Sequence, residues 1–349
     1  MKKILTTLCA VAMLAGCTAG GSKKSSTNTA STKEETAATV MVGTGSVTNV
    51  SNKTKEGSDT VAQFDTTFAS VVLEGNVIKY VYFDVAQDKV TYDATGHVTS
   101  DNTASTSKKA LGDKYGMKDK SSIKKEWYEQ VEALEKWAVG KTVEEVLNMP
   151  TTQKDEKHTV SADKDLMTGC TIGVTAFQQA LDKAAKNAVE VKDVASVGSA
   201  ILTQVSGKDA SAEKSGEAKA SSTYGVVALD KDGKVVFTQT DVAQNAVKFT
   251  TAGVVDGEAV AIATKGEKKD EYGMKKVSSI GKEWFEQNQA YDDWTVGKTG
   301  KEIADMKVTT NEGGKTVTAD KDLMTGCTIG VDSLQKVTTT AIEAATKLN

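Results

Sequence analysis

Through the body of the chain, short apolar runs give way to apolar residues at helical spacing. Val47 to Val50, Thr67 to Leu73 and Val77 to Phe83 are rich in β-branched and aromatic residues and predict strands; Val90-Thr91-Tyr92 predicts another short one. Glu74-Gly75-Asn76 and Asp232-Gly233 read as turns. From Ser122 the period changes. Ile123, Trp127, Val131 and Leu134 fall on one helical face, and Gly140 stands where a C-cap belongs. Thr142 with Glu145, and later Thr299 with Glu302, spell a capping box for a short second helix. Thr175, matched by Asp332, predicts the cap of a last helix whose inner face is Phe177, Leu181 and Ala185. Around Thr171 and Ile172 a strand or extended turn is expected. These elements predict the α+β class: a small antiparallel sheet with helices packed beside it.

The pattern occurs twice. Shifting the chain by 157 residues brings Asp84-Val85-Ala86-Gln87 onto Asp241-Val242-Ala243-Gln244, and Tyr115-Gly116-Met117-Lys118 onto Tyr272-Gly273-Met274-Lys275. Lys125-Glu126-Trp127 meets Lys282-Glu283-Trp284, Trp137 meets Trp294, and Asp163 to Val174 meets Asp320 to Val331 without a mismatch. At the start of the repeat, Gly45-Ser46 resembles Gly198-Ser199. The Lys/Ala/Ser/Glu-rich piece from Gly207 to Ser222 has a linker's composition, but its counterpart, Asn52 to Asp59, lies inside the first copy. It therefore reads as a loop of the second copy, and the junction falls between Val189 and Ser196. The expected domains are 43–190 and 191–349.

The first residues carry another signal. Lys2 and Lys3 precede an apolar run from Ile4 to Leu14, too short for a permanent membrane span and the length of a signal-peptide core. It ends in Leu14-Ala15-Gly16-Cys17, the lipobox pattern of bacterial lipoproteins. Residues 1–16 are then a signal peptide and Cys17 a lipidated residue, with acyl chains such as palmitate as the anchor. Residues 17–42 follow as a tether whose Ser/Thr/Lys-rich start lacks aromatic residues. The expected location is the extracellular face of the cell membrane, held by lipid alone.

Composition narrows the chemistry. A net charge of −4 gives no reason to expect nucleic acid, and every basic residue is Lys. His97 and His158 do not recur between the copies, so no shared His-based metal site or Ser-His-Asp triad is available, and no metal site is expected. Cys170 and Cys327, one per copy, do not make a disulfide framework and read first as small packing residues, with a redox role as the alternative. The recurring Trp127, Trp137, Trp284, Trp294, Tyr115 and Tyr272 read as core, with one or two available to stack on a ring. Asp84 to Gln87 and Asp241 to Gln244 read as turn chemistry at a strand end, and Lys118 to Lys125 as a solvated helix start.

The longest identical block contains Asp165-Leu166-Met167-Thr168-Gly169-Cys170-Thr171, repeated as Asp322 to Thr328. It resembles the Asp-x-x-Ser/Thr-Gly-Ala-Thr/Ser motif to which a flavin transferase attaches FMN through a phosphodiester. With the lipobox, the duplication and the Tyr-Gly-Met and Glu-Trp blocks, nearly all of the mature chain is similar to the two-domain FMN-binding lipoproteins of Gram-positive extracellular electron transfer. Cys170 and Cys327 depart from the motif, where Ala is usual. The resemblance implies two FMN-binding-domain-like units with Thr171 and Thr328 as acceptors. Gly169 and Gly326 would admit the phosphate, Asp165 and Asp322 would hold a metal or the hydroxyl during transfer, and Thr168 and Thr325 would add a hydroxyl nearby. It further implies a carrier rather than an enzyme, served by a flavin transferase and a membrane quinone-linked dehydrogenase, and discharging to an extracellular acceptor. The alternative is a surface lipoprotein that binds a non-flavin ligand, with the Thr-Gly-Cys-Thr block as a structural turn.

Overall fold

The computed structural model describes residues 39–54, 57–102, 106–156 and 158–348. The expected signal segment, Cys17 and the tether up to residue 38 lie outside the described residues.

The first copy forms strands β1 (Val40–Lys53), β2 (Thr60–Glu74) and β3 (Val77–Tyr92). It continues through α1 (Lys108–Leu111), α2 (Trp127–Ala138), α3 (Val143–Leu147), the small hairpin β4 (Thr151–Gln153) and β5 (Thr159–Ser161), α4 (Lys164–Met167), α5 (Thr175–Lys186) and β6 (Val189–Val191). The second copy repeats this order with β7 (Ser196–Lys208), β8 (Gly216–Leu229), β9 (Val235–Phe249), α6 (Lys265–Lys268), α7 (Trp284–Thr295) and α8 (Gly300–Ala304). It ends in β10 (Val308–Thr310), β11 (Thr316–Thr318), α9 (Lys321–Met324), α10 (Asp332–Glu343) and β12 (Thr346–Lys347). The main sheets are antiparallel, in the orders β3-β2-β1-β6 and β12-β7-β8-β9, so the fold is α+β in two matching halves. β6 closes the first sheet on β1, and four residues later β7 opens the second. No described helix is long and apolar enough to cross a membrane.

The strands are longer than their apolar runs because both faces of each sheet are buried. On β2, Ala69, Val71 and Leu73 face Trp127, Val131, Leu181 and other helical residues. The alternate residues Ala62, Phe64, Phe68 and Val72 face the other copy's sheet. Period two survives, yet both sides are apolar or small, so the central strands read as unbroken runs. Three core clusters mix residues of the two copies, among them Phe64 and Val90 with Val247 and Phe249, and Val42 and Val72 with Val197 and Val226. Tyr92 stacks on Phe249 with centroids 3.8 Å apart and planes at 6°. These residues are counterparts, as are Phe68 and Tyr224, which meet at 5.7 Å. Equivalent residues touching each other is the mark of a two-fold, self-complementary interface, here within one chain. The layers run helices, sheet, sheet, helices.

Several local expectations change. Val77 to Phe83 and Val90 to Tyr92 belong to one strand, β3, and the expected loop from Gly207 to Ser222 shrinks to residues 209–215 between β7 and β8. Asp84 to Gln87 sits in the middle of β3, not at a strand end, because a helix start binds the buried Asp84 carboxylate. α2 begins at Trp127 rather than Ser122: Lys124 has φ 54°, and Glu129 bonds back to the Glu126 amide at 2.7 Å, which sets the first turn. Thr175 and Asp332 are the first residues of their helices, with Val174 and Val331 at the cap and no side-chain cap bond. Gly43, not Gly45, is the counterpart of Gly198. A Cβ on Gly43 would strike the backbone of Ala184 and Ala188, and one on Gly198 that of Ala341 and Ala345, so both glycines let the last helix lie close on its sheet.

The shared core should make unfolding one event. Guanidinium denaturation of the mature chain, followed by tryptophan fluorescence and circular dichroism, should give one coincident transition for both halves. Tyr92→Ala should lower its free energy by about 3 kcal/mol; two separated transitions would contradict a common core.

Candidate functional site

The site is built by three polar pins that recur in both halves. The first is Asp84. Its carboxylate accepts from Ser107 Oγ at 2.6 Å and from the amides of Lys109 and Val85 at 3.0 and 2.7 Å. In the second half Asp241 accepts from Thr264 Oγ1 at 2.5 Å and from the Gly266 and Val242 amides at 2.8 and 2.6 Å. Each pin fixes the start of the helix that carries the next lysine. Lys108 Nζ lies 5.2 Å from the Tyr115 ring centre and 5.5 Å from that of Trp127; Lys265 lies 5.7 and 5.5 Å from Tyr272 and Trp284.

The second pin is the buried Glu126. Its carboxylate accepts the amides of Met117 and Lys118 at 2.8 and 3.0 Å, and Glu283 does the same for Met274 and Lys275 at 2.7 and 3.1 Å. This explains why the Tyr-Gly-Met-Lys and Lys-Glu-Trp blocks repeat together. The helix N-terminal acid holds the loop that carries the tyrosine.

The third pin reaches the motif threonine. Gln130, fully buried on α2, accepts at Oε1 from both the amide and the hydroxyl of Thr171, at 2.9 and 3.2 Å. Its Nε2 donates to Ser121 Oγ and to the Lys125 carbonyl, both at 3.1 Å, so no group of this side chain is wasted. Gln287 repeats the arrangement for Thr328 at 2.8 and 3.0 Å. Sequence reasoning missed both glutamines. The available signal was the matching Glu129-Gln130 and Glu286-Gln287, one helical turn beyond the Glu-Trp block.

Thr171 opens onto a cleft of about 540 Å³ lined by Lys108, Tyr115, Trp127, Lys154, His158 and Phe177, among others. That volume suits a small-molecule ligand. A smaller lobe joins Thr171 to Gln130, Lys120 and Ser121. The corresponding cleft of the second half, about 400 Å³, is lined by Lys219, Lys265, Tyr272, Trp284, Lys315 and Gly330 with other residues; Thr328 is half-buried close in sequence to Gly330. Trp127 and Trp284 thus serve both core and cleft.

The other motif residues stand elsewhere. Asp165 and Asp322 are exposed on α4 and α9. Thr168 and Thr325 are exposed too, their hydroxyls donating to the carbonyls of Asp165 and Asp322 at 2.8 and 3.0 Å. None of these lines a cleft. A Cβ on Gly169 would lie 2.7 Å from Ala133 Cβ, and one on Gly326 2.8 Å from Ala290 Cβ, so helix packing by itself demands glycine here. No cluster of metal-ligating side chains occurs among the described residues. Cys170 and Cys327 are buried free thiols in separate core clusters.

Comparison with known protein families, with curated proteins and with solved structures finds no match.

Burial pushes both motif thiols up to about 11, which keeps them protonated at neutral pH. In native protein at pH 8, peptide mapping after brief iodoacetamide treatment should find Cys170 and Cys327 unmodified, and both modified in denaturant. Rapid native alkylation of either would give that thiol a reactive role instead.

Proposed function

We propose that the protein is a lipid-anchored electron carrier at the extracellular face of the cell membrane that holds FMN on Thr171 and Thr328, each through a phosphodiester. The observation that carries this reading is the repeated threonine whose amide and hydroxyl a buried glutamine fixes, with Thr171 itself lining an aromatic cleft. The residues fit such a group. Tyr115 and Trp127, or Tyr272 and Trp284, offer flat apolar surface, and Lys108 or Lys265 stands above them as a cation. Gln130 and Gln287 each accept a hydrogen bond from the threonine hydroxyl, which orients its oxygen; on attachment the proton would pass to a base of the transferase, and the flavin donor's own bond to phosphorus would break as the new one forms.

Bound FMN would supply uptake of paired electrons and their release one at a time. The chain's own part is to hold, orient and charge-balance the cofactor. Asp165, Thr168 and Met167, exposed beside the acceptor, present the face a flavin transferase would meet. The lipobox ending at Cys17 supports an anchor at the cell membrane, where a covalent bond prevents loss of the cofactor. Electrons would come from a membrane quinone-linked dehydrogenase and leave to an extracellular acceptor.

Mature protein made together with a flavin transferase should carry two FMN adducts by intact mass. Thr171→Ala and Thr328→Ala should each remove one, and the double variant both. A colourless, unmodified protein from its own host would instead support binding of a non-flavin ligand.

A further inference from the structure

The two halves share a frame but not the charges around it. The strand pairs Asp65 with Gln87 and Ser221 with Gln244 align the sheets residue by residue. On that alignment Gln63 becomes Lys219 and Asp65 becomes Ser221; in the loops, His158 becomes Lys315, Lys120 becomes Val277 and Lys154 becomes Asn311.

In the first half Lys108, the counterpart of Lys265, and Lys154 line the aromatic cleft, and further lysine charge gathers at the acceptor threonine. Lys120 and Lys154 line its lobe, and Lys154 Nζ donates to the Thr171 carbonyl at 3.1 Å. Carboxylates stand nearer the rest of the cleft. Asp155 lines it and bonds His158 at 2.8 Å, and Asp65 accepts from the cleft-lining Gln87 at 2.7 Å. In the second half three lysines, Lys219, Lys265 and Lys315, line the cleft together with Tyr272 and Trp284, and no acid lines it. Glu217 sits 3.6 Å from Lys219 but outside the lining. Burial first, then the charge of Lys315, with Lys219 and Lys268 adding to it, holds the Lys265 amine down at about 8 against the pull of Asp241. An anion among these lysines relieves that crowding.

We infer that the cleft of the second half is the stronger site for negative charge at its aromatic end, and that a flavin held there is reduced at a more positive potential than one held in the first half. The redox part rests on the proposed flavin reading; the electrostatic part rests on the side chains alone. When neutral flavin takes two electrons from a reductant such as dithionite and one proton from water, its ring gains one net negative charge. Lys219, Lys265 and Lys315 around that ring favour the product with no lining acid against them, whereas in the first half Lys108 and Lys154 are opposed by Asp155 in the lining and by Asp65 behind Gln87. Lys120 lines only the lobe at the acceptor threonine, the phosphate end, whose charge is the same before and after.

Two measurements test this. In the chain made without a transferase, inorganic pyrophosphate should shift the indole N–H resonance of Trp284 at a concentration at least tenfold below that needed for Trp127. Lys265→Gln with Lys315→Gln should abolish the difference, with the other amide resonances keeping the fold in view. Equal response, or Trp127 responding first, would overturn the inference whether or not flavin ever attaches. In loaded Thr171→Ala and Thr328→Ala proteins, each with one flavin, potentiometric titration should place the second-half flavin higher by at least a factor of ten in reduction equilibrium, about 30 mV for a two-electron couple. Equal or inverted potentials would overturn the redox part and leave the carrier reading intact, while absence of flavin from both variants would sink the carrier reading.

Discussion

Each sheet carries two apolar faces, and its own helices can cover only one. That surplus face decides most of the architecture. Phe64, Phe68, Val72, Val90 and Tyr92 would all be wet in an isolated first half. At about 25 cal/mol per Å² of apolar surface, leaving several such side chains in water costs about as much as a small domain's whole margin. The second half answers with the same face turned by a two-fold rotation, and Tyr92 on Phe249 marks where the halves meet as equals. Polar contacts follow this closure. Thr203 donates to the buried Asp88 at 2.5 Å, Tyr80 to Ser199 at 3.2 Å, and the Thr44 amide to Gln239 at 2.8 Å, each across the interface.

Back-to-back sheets have a functional consequence. With the inner faces committed, each cleft must open on the outer, helical side, between the sheet and the loop held by Glu126 or Glu283. The clefts are therefore set by a rigid body rather than by two beads on a string. The helices behind the clefts keep the same frame with different side chains. Lys109 and Glu135 form an ion pair at 2.6 Å in the first half, with burial holding the Glu135 carboxyl up near 7. In the second half Gly266 and Asp292 take those positions. Asp292 accepts from Thr240 at 2.7 Å in a hydroxyl-rich pocket, and burial raises its pKa. The two solutions fill one space, since either satisfies the strand amide it faces, at Phe83 or Thr240.

The duplication, the class of fold and the positions of the capping boxes were legible in the sequence because each depends on local pattern. Thr142 with Glu145 and Thr299 with Glu302 cap their helices as spacing predicts. What stayed hidden depends on contacts between distant residues. Asp84 reads as a turn residue until its partner, Ser107, is known to arrive from a helix start 23 residues away. Gln130 reads as one more polar position on α2 until Thr171, 41 residues on, brings two hydrogens to its oxygen. Gly169 is expected from the motif, and the fold adds a reason the sequence does not show: Ala133 lies where a side chain would go.

The same distinction separates the motif into two functions. Thr171 and Thr328 are turned inward and fixed; Asp165, Thr168 and their counterparts are turned outward and bonded only within their own turn. A residue that served a bound ligand after its attachment would be expected to line the cleft. A residue that served only the attachment would need to meet an outside catalyst and then do nothing further. In the first half Thr171 lines the cleft while Asp165 and Thr168 are exposed outside it, with the buried Cys170 between them. Both thiols are small and buried, as that position requires.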